Sequence, residues 1–260
     1  MLRPRIIPCL LIKDKGLVKT VNFSNPKYLG DPINAVRIFN EKCVDELIVL
    51  DIDATLKGKD PNLKMIDNLA TECRMPLCYG GGIKTVDQIC EIIELGVEKV
   101  SLSSIAIENP EIVRNGAKFV GNQSIVVTLD VKKVNNNYYI FTHNGKKNMK
   151  IDPVDMVKDL QASGAGEIVI NSIDNDGVMK GYNISLIEKF INVVDIPITV
   201  VGGAGTLNDI KQLFGQFGLI GACAGSLFVF KGLYRAVLIN YPDVVEKEQL
   251  YLNHFQYNTN

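Results

Sequence analysis

The chain has 260 residues, of which 47% are hydrophobic and 22% are charged, and its formal net charge is −1. This composition fits one large globular domain or two small ones. The charge balance offers no basic surface for nucleic acid or for a membrane, and the apolar runs fall far short of the ~20 residues of a membrane span. The run 6–12 lacks the core and cleavage site of a signal peptide, so we expect a cytoplasmic protein.

The cysteines and histidines give no metal-binding pattern. Six cysteines are scattered without close pairs, and we expect them to be buried free thiols: Cys9, Cys43, Cys73, Cys78, Cys90 and Cys223. The only histidines are His143 and His254. His254 belongs to a polar C-terminal tail, 246–260, whose end we expect to fray. The sequence therefore predicts no histidine-centred active site, no metal and no other cofactor.

Short apolar runs alternate with amphipathic stretches along the chain. The runs predict eight strands, at 5–11, 46–51, 76–79, 98–103, 124–130, 167–171, 197–201 and 219–225. Helical patterns lie between them, with predicted N-terminal caps at Asp31, Thr85 and Asp152 and predicted ends at Gly96, Gly164 and Gly218. Eight strand–helix units predict a single α/β domain, a (β/α)₈ TIM barrel. A doubly wound sheet is the alternative.

An internal repeat favours the barrel. "DELIVLDID" (45–53) resembles "GEIVINSID" (166–174), and "MPLCYGGGIKTVDQI" (75–89) resembles "IPITVVGGAGTLNDI" (196–210). Both pairs are offset by 121 residues, since 166 minus 45 and 196 minus 75 both give 121. We therefore expect two half-barrels, approximately 1–121 and 122–245, related by a pseudo-twofold axis.

Two long connections interrupt the regular alternation. The segment 131–151 has a turn at 135–137 between β-rich runs, which predicts a hairpin inserted after strand five. The polar connection 13–30 follows strand one, and in a barrel it would lie over the active face as a lid.

Barrel enzymes place their chemistry at the C-terminal ends of the strands. Glycine and serine pairs at these ends repeat across the halves and predict two phosphate sites, where backbone N–H groups approach an anion closely. Tight turns are the alternative explanation for the glycines. The residues are Gly81 and Gly82 with Ser103 and Ser104, and Gly202 and Gly203 with Gly225 and Ser226.

Carboxylates at the same ends are candidates for proton transfer. Asp130 ends an apolar strand and is a candidate general acid or base, or else a helix or hairpin cap. Asp51 and Asp176 are further catalytic or binding candidates among several loop carboxylates. Lys19 on the lid could reach a substrate phosphate, and Asn171 ends strand six.

Charged residues begin four of the strands: Arg5, Glu46, Lys99 and Glu167. In a barrel they would meet around the N-terminal opening, about 20 Å from Leu11 by strand rise. Buried charges persist when they are paired, and two cations can pair with two anions. The group is either a plain floor of the barrel or a gate in that floor.

The chain resembles the HisF family, the cyclase subunit of imidazole glycerol phosphate synthase, over roughly 1–238. The stretches that carry the resemblance include "GDPINAVRIFNEKCVDELIVLDIDAT", "YGGGIKTVDQI", "FTHNGKK", "GAGEIVINSIDNDG" and "VVGGAGTLNDI". The resemblance implies a barrel that forms a heterodimer with a HisH-like glutaminase on its N-terminal face and receives ammonia through the barrel. It also implies that Arg5, Glu46, Lys99 and Glu167 form the gate, and Gln123 matches another floor residue.

The active face departs from the family pattern. The family uses two aspartates as acid and base, at the ends of strands one and five; Asp130 matches the second, but Leu11 stands at the first. Lys19 matches the lid lysine. Other departures are Ser103 and Ser104 for Asn-Thr, Asn171 for Thr, Val201 for Ser and Val178 for Thr. Because a positioned acid or base supplies ~10²–10⁴ in rate, loss of one should cripple the cyclase reaction.

Three functions follow. The first is a HisF-like subunit that delivers glutaminase-derived ammonia for amidation of a sugar, giving an acetamidino sugar of lipopolysaccharide or another surface glycan, together with an ATP-dependent sugar amidotransferase. The second is the ordinary cyclase of histidine biosynthesis. The third is a non-catalytic ammonia conduit or scaffold for a separate ATP-dependent amidotransferase. The glycine loops would suit a phosphorylated small-molecule substrate.

Overall fold

The computed structural model describes residues 3–256, and describes side chains as far as Tyr251. Eight parallel strands pair in chain order, and the first pairs with the last to close a barrel, which confirms the predicted TIM barrel. The strands are β1 (Arg5–Lys13), β2 (Leu47–Asp51), β3 (Leu77–Gly80), β4 (Lys99–Leu102), β5 (Ile125–Val134), β6 (Glu167–Ser172), β7 (Ile198–Val201) and β8 (Gly221–Ala224). In the described range no helix is long and apolar enough to cross a membrane.

Helices surround the barrel. They are α1 (Pro32–Glu41), α2 (Leu63–Glu72), α3 (Val86–Glu94), α4 (Ser104–Glu108), α5 (Glu111–Val120), α6 (Pro153–Ala162), α7 (Ile184–Ile187), α8 (Leu207–Phe217), α9 (Ser226–Val229) and α10 (Val244–Gln256). The side chains of Asp31, Thr85 and Asp152 accept hydrogen bonds from the first turns of α1, α3 and α6, as predicted. These caps satisfy amide groups that a helix leaves free at its start.

The strands bury both of their faces. In β1, Ile6, Leu10 and Ile12 pack against the helices, whereas Ile7, Cys9 and Leu11 point into the barrel. This alternation follows from the two-residue period of a strand. The thiols of Cys9, Cys78 and Cys223 are buried in the barrel interior, but Cys43 is exposed and Cys73 and Cys90 are half-buried, so the prediction of six buried thiols is wrong for these three.

The segment after β1 is more regular than the predicted polar loop. Gly16–Val21 and Ser24–Gly30 form an antiparallel hairpin whose first strand pairs with the end of β1. Leu17 and Val18 are buried, so this strand is anchored to the barrel in spite of the polar residues around it. We call residues 16–30 the lid hairpin.

The insertion after β5 is a hairpin, as predicted. β5 continues to Val134 and pairs with Asn137–Thr142. Asn135 and Asn136 both have positive φ, which the tight turn of a hairpin requires and which asparagine tolerates. The short strand Lys147–Asn148 adds a third member.

The end of the chain packs on the barrel. The short strands Phe230–Lys231 and Ala236–Val237 form a second small sheet, and α10 follows. Part of the predicted polar tail, 246–260, therefore lies in a helix, and its Leu250 and Tyr251 are buried. The Tyr251 ring lies 6.0 Å from that of Phe214 on α8. The predicted fraying end and the His254 side chain lie outside the described part.

Candidate functional site

The N-terminal end of the barrel holds a closed ring of alternating charges. Arg5 bonds Glu46 and, through Nη2, Glu167 Oε1 at 2.7 Å. Lys99 Nζ completes the ring, at 2.8 Å from Glu46 Oε1 and 2.9 Å from Glu167 Oε2. Thr199 Oγ1 donates a further hydrogen bond of 2.6 Å to Glu167. The structure thus brings together the four charged residues that the sequence placed at the floor.

The ring is stable in its charged form. Burial lowers the pKa of Lys99, but Glu167 and Glu46 outweigh burial and leave that pKa above its usual value. Burial likewise raises the pKa of Glu167, but Arg5 and Lys99 outweigh burial and leave it below its usual value. Both carboxylates are almost fully buried, at 3% exposure for Glu46 and 4% for Glu167. Each charge therefore depends on its neighbours for stability in the barrel.

Gln123 lies outside the ring. It belongs to a 3₁₀ turn, Asn122–Ser124, directly before β5, and its side chain is exposed. Its Nε2 donates to the Val120 carbonyl oxygen at 3.4 Å. Gln123 therefore stands at the outer surface of the floor.

The opposite end of the barrel opens into a cavity of about 300 Å³, which we call the mouth cavity. It is lined by the residues that the sequence placed at the active face of the barrel: Leu11, Lys19, Asp51, Gly81, Gly82, Ser103, Ser104, Asp130, Asn171, Asp176, Gly202, Gly203, Gly225 and Ser226. Strand ends that are distant in sequence meet here because parallel strands in a closed barrel share one C-terminal edge.

The two glycine pairs adopt similar turns in the two halves. Gly81, Gly82, Gly202 and Gly203 all have positive φ. A Cβ on Gly203 would lie 2.0 Å from the Gly181 carbonyl oxygen, so no larger residue fits there without a backbone shift. Such turns leave backbone N–H groups accessible to an anion, which is what the predicted phosphate sites require.

The carboxyl group of Asp130 is the most perturbed acid of the mouth. Burial raises the pKa of Asp130 to about 7, and nearby Asp176 adds to the effect. Asn171 Nδ2, at 2.9 Å, and Ser103 Oγ, at 3.4 Å, donate to the carboxylate and oppose the rise. An acid with a pKa near neutrality can both give and take a proton, so Asp130 suits acid–base chemistry.

Lys19 and Asp176 form a buried pair that fastens the lid hairpin. Lys19 Nζ lies 2.6 Å from Asp176 Oδ1, and the two residues are 7% and 6% exposed. Asp176 Oδ2 also accepts from Thr20 Oγ1 at 2.7 Å and from the Phe23 backbone N at 3.3 Å. Asp176 therefore fastens the lid hairpin over the mouth. Both of its carboxylate oxygens already have partners in that hairpin.

Asp51 orders the turn after β2. Its Oδ1 accepts from the backbone N of Asp53 at 3.0 Å and of Ala54 at 3.1 Å. Burial raises the pKa of Asp51, and these two hydrogen bonds oppose the rise. The contacts are those of a loop-ordering residue whose side chain also borders the cavity.

One side of the mouth is apolar. Leu11 is 9% exposed and belongs to the interior cluster that also contains Val18 of the lid hairpin and Val201 of β7, with Leu50 of β2 packed against it. No carboxylate from β1 enters this side, because Leu11 is the β1 residue that lines the cavity together with Cys9. The polar groups come from the other strands: Ser103 directly follows β4, Asp130 belongs to β5 and Asn171 belongs to β6.

The sequence did not predict several residues of the cavity. Thr20 and Phe23 enter from the lid hairpin, and His143 and Asn144 enter from the inserted hairpin. Ser104 Oγ accepts from the His143 backbone N at 2.9 Å, so this serine positions the insertion. Only the tertiary fold brings 143 beside 104, and no local pattern signals the contact.

Two buried polar atoms in the cavity wall have no hydrogen-bond partner within the described chain: Asn171 Oδ1 and Ser226 Oγ. Such groups are destabilising unless something else satisfies them. In the same range no cluster of His, Cys, Asp or Glu side chains is placed to hold a metal ion. Ser226 Oγ can donate to an anion, whereas Asn171 Oδ1 can accept from a hydroxyl or amine group, so the two atoms favour a polar organic ligand.

Comparison with known proteins gives consistent matches. Residues 5–234 match the model of a family described as histidine biosynthesis protein. The chain is 59% identical over 251 residues to a Vibrio vulnificus protein provisionally named imidazole glycerol phosphate synthase subunit hisF3, with 96% of each chain covered. A similarly named HisF protein of Leptospira interrogans is 54% identical over 253 residues, covering 96% of this chain and 100% of its own. The imidazole glycerol phosphate synthase subunit HisF of Natranaerobius thermophilus is 39% identical over 241 residues, covering 93% and 96%.

Proposed function

The chain belongs to the histidine biosynthesis protein family, as a HisF-like imidazole glycerol phosphate synthase subunit, and we propose that it receives ammonia from a HisH-like glutaminase for amidation of a sugar. The product would be an acetamidino sugar of lipopolysaccharide or another surface glycan. An ATP-dependent sugar amidotransferase would be the second partner. The observation that carries the proposal is a complete charged ring at the floor combined with a mouth in which Leu11 stands where the family resemblance implies a catalytic aspartate.

The floor supports the ammonia part of the proposal. Four charges at the starts of four strands occupy the positions that the family resemblance implies for a gate, and they close into one ring. A barrel through which no molecule passes could fill this layer with apolar side chains. Apolar side chains of similar volume stabilise a fold as well as a buried charge network does. A glutaminase docked on this face would release ammonia against the ring.

The mouth supports the change of reaction. Leu11 supplies neither a proton nor an acceptor, and it lies in an apolar surface. Asp130 stands where the family resemblance implies the other catalytic aspartate, and its pKa is about 7. As a carboxylic acid or a carboxylate it can bind a ligand or exchange a proton at the mouth, but it cannot supply the paired acid and base of the cyclase.

The ordinary histidine-pathway cyclase is the second candidate. Asp130, Lys19 and both glycine loops all line one cavity, and this favours a mouth that still holds a phosphorylated substrate. The loss of one of two proton-transfer groups argues against the cyclase, because it is expected to lower the rate by about 10²–10⁴.

A passive conduit is the third candidate, and it overlaps the first. In that case Asp130 and the glycine loops would be unused by this chain, and the amidotransferase would carry out all the chemistry. The raised pKa of Asp130 and the two unsatisfied polar atoms in the cavity wall favour a mouth that binds a ligand itself.

The deciding experiment compares two reactions of the purified chain. With the histidine-pathway bisphosphate and ammonium chloride we expect no significant cyclase turnover, and Leu11→Asp serves as the variant that restores the missing group. With the glutaminase, the amidotransferase, ATP, the acceptor sugar and glutamine we expect acetamidino-sugar formation. A robust cyclase rate of the unmodified chain would overturn the proposal in favour of the second candidate.

A further inference from the structure

The chain segment after α9 carries an apolar tip that no described residue covers. Phe230–Lys231 and Ala236–Val237 pair as a small hairpin, and the turn between them presents Leu233 at 91% exposure and Tyr234 at 94%. Turn tips favour Gly, Pro, Asn, Asp and Ser. Gly232 and Arg235 have positive φ, and the Arg235 backbone N donates to the Gly232 carbonyl oxygen at 3.1 Å, so a backbone hydrogen bond closes the turn. The packing of residues 3–251 gives no reason for two large side chains at that tip.

The tip stands beside an apolar groove of about 310 Å³. Leu17 and Leu29 of the lid hairpin, Ile38 of α1, and Val237 and Leu238 after the tip all line the groove. Val237 and Leu238 are themselves about half exposed, at 47% and 51%. We call Leu233, Tyr234, Val237 and Leu238 the rim patch. Exposed apolar groups of this kind ordinarily mark a surface that binds another protein.

Three cations lie near the rim patch, and one carboxylate, Asp31, lines the groove beside it. Lys231 and Arg235 lie in the segment 227–238, and Lys27 lies in the segment 24–30; neither segment contains an aspartate or glutamate. Lys27 Nζ lies 5.3 Å above the Phe230 ring, which joins the two segments. Within the described residues none of these three cations forms an ion pair. The complementary surface is therefore apolar and bordered by carboxylates.

The rim patch lies at the mouth end of the barrel. The segment that carries it leaves β8 through Gly225 and Ser226, which line the mouth cavity, and the groove shares the lid hairpin with that cavity. The floor ring lies at the other end of the same strands. A glutaminase on the floor and a second protein on the rim can therefore bind this chain at the same time.

We infer that the rim patch is the docking surface for the ammonia-accepting amidotransferase, whose contact surface would present an apolar pocket bordered by carboxylates. This inference rests on the proposed function. Ammonia that leaves the mouth into water is diluted and protonated, so the acceptor site must seal against the rim. Tyr234 fits the role of an anchor, because tyrosine is enriched among residues that dominate binding energy.

The test uses the purified complex of this chain with the glutaminase, and the purified amidotransferase as the probe. A double variant, Leu233→Ser with Tyr234→Ser, should raise the Kd for the amidotransferase at least about 30-fold, as loss of a dominant contact does. It should also reduce glutamine-driven amidation while leaving ammonium-driven amidation unchanged. The matched control is Leu63→Ser, an exposed leucine of α2; it should change neither, and glutaminase binding should persist in all forms.

The outcomes separate the inference from the proposed function. An active wild-type complex whose Kd and glutamine-driven rate survive in the double variant overturns the docking inference alone. A wild-type complex that binds no amidotransferase and forms no amidated sugar overturns both. A wild-type chain that dimerises through the tip, with a monomeric double variant by light scattering, assigns the surface to a second copy and overturns the inference.

Discussion

Leu11 and Asp130 line one cavity from β1 and β5, strands that lie four positions apart in a closed barrel of eight and so face each other across its mouth. One of the two is an apolar side chain in an apolar surface, and the other is a carboxyl group with a pKa near 7. The mouth is therefore chemically one-sided. At the opposite end of the same strands, the floor keeps a symmetric ring of two cations and two anions.

The raised pKa of Asp130 makes the stability of the protein depend on pH. Between about pH 4 and 7 the folded state holds a proton that the unfolded state has released, so the free energy of unfolding falls as the pH rises through this window, by at most ~1.4 kcal/mol per pH unit. Asp130→Asn removes this group. We expect urea titrations to show the variant gaining stability relative to the wild type from pH 4 to 7 and levelling off above 7. A pH-independent difference would contradict this assignment.

The Lys19–Asp176 pair should control the lid hairpin. Asp176→Asn leaves the buried Lys19 ammonium without its countercharge, and breaking a buried pair costs about 3–5 kcal/mol. We expect the amides of 16–30 to exchange with deuterium at least ~10-fold faster. The control is Asp14→Asn, which breaks an exposed pair with Lys57 at the base of the lid and should change exchange by less than ~2-fold. Equal effects of the two variants would mean that Asp176 is not the lid anchor.

The floor ring should matter for both stability and ammonia delivery. Lys99→Met leaves Glu46 and Glu167 with Arg5 alone, and we expect a loss of about 3 kcal/mol in the free energy of unfolding. In the assembled complex the glutamine-driven rate should fall much more than the ammonium-driven rate. Lys211→Met, at an exposed position of α8, is the control and should lie within about 0.5 kcal/mol of the wild type. An equal fall in the glutamine-driven and ammonium-driven rates would mean that the floor ring does not gate ammonia.

Two glycines with opposite surroundings test the turn at the second glycine pair. Gly203→Ala would place a Cβ 2.0 Å from the Gly181 carbonyl oxygen, at a φ of +115°, and should destabilise the protein by about 1–3 kcal/mol. Gly215→Ala, in α8, meets nothing within 4 Å and should stabilise it by about 0.5–1 kcal/mol. Thermal or urea unfolding measures both, and the same sign for both variants would be inconsistent with these geometries.

Much of the framework could be predicted from the sequence because its signals are local. Apolar runs give the eight strands, and Asp31, Thr85 and Asp152 act as caps within a few residues of their own helices. The opposite ends of one strand, Arg5 and Leu11, could be assigned to floor and mouth from strand direction alone.

The features that escaped prediction depend on contacts between distant segments. The 13–30 segment has a loop-like composition, and only its pairing with the end of β1 makes it a hairpin. Asp176 has the residue type of a catalytic group, but its partners come from residues more than 150 positions earlier. The His143–Ser104 contact and the exposed tip at Leu233 likewise become visible only in three dimensions.

The central claim is that ammonia from the glutaminase reaches the acceptor through this barrel. The most direct measurement supplies the assembled complex with glutamine carrying heavy nitrogen in its side-chain amide, in the presence of excess unlabelled ammonium, and determines the heavy-nitrogen content of the amidated sugar by mass spectrometry. The account predicts a product labelled almost entirely from glutamine, and a label that falls toward that of the bulk ammonium in Lys99→Met. A wild-type product that carries the isotope ratio of the bulk ammonium would contradict it.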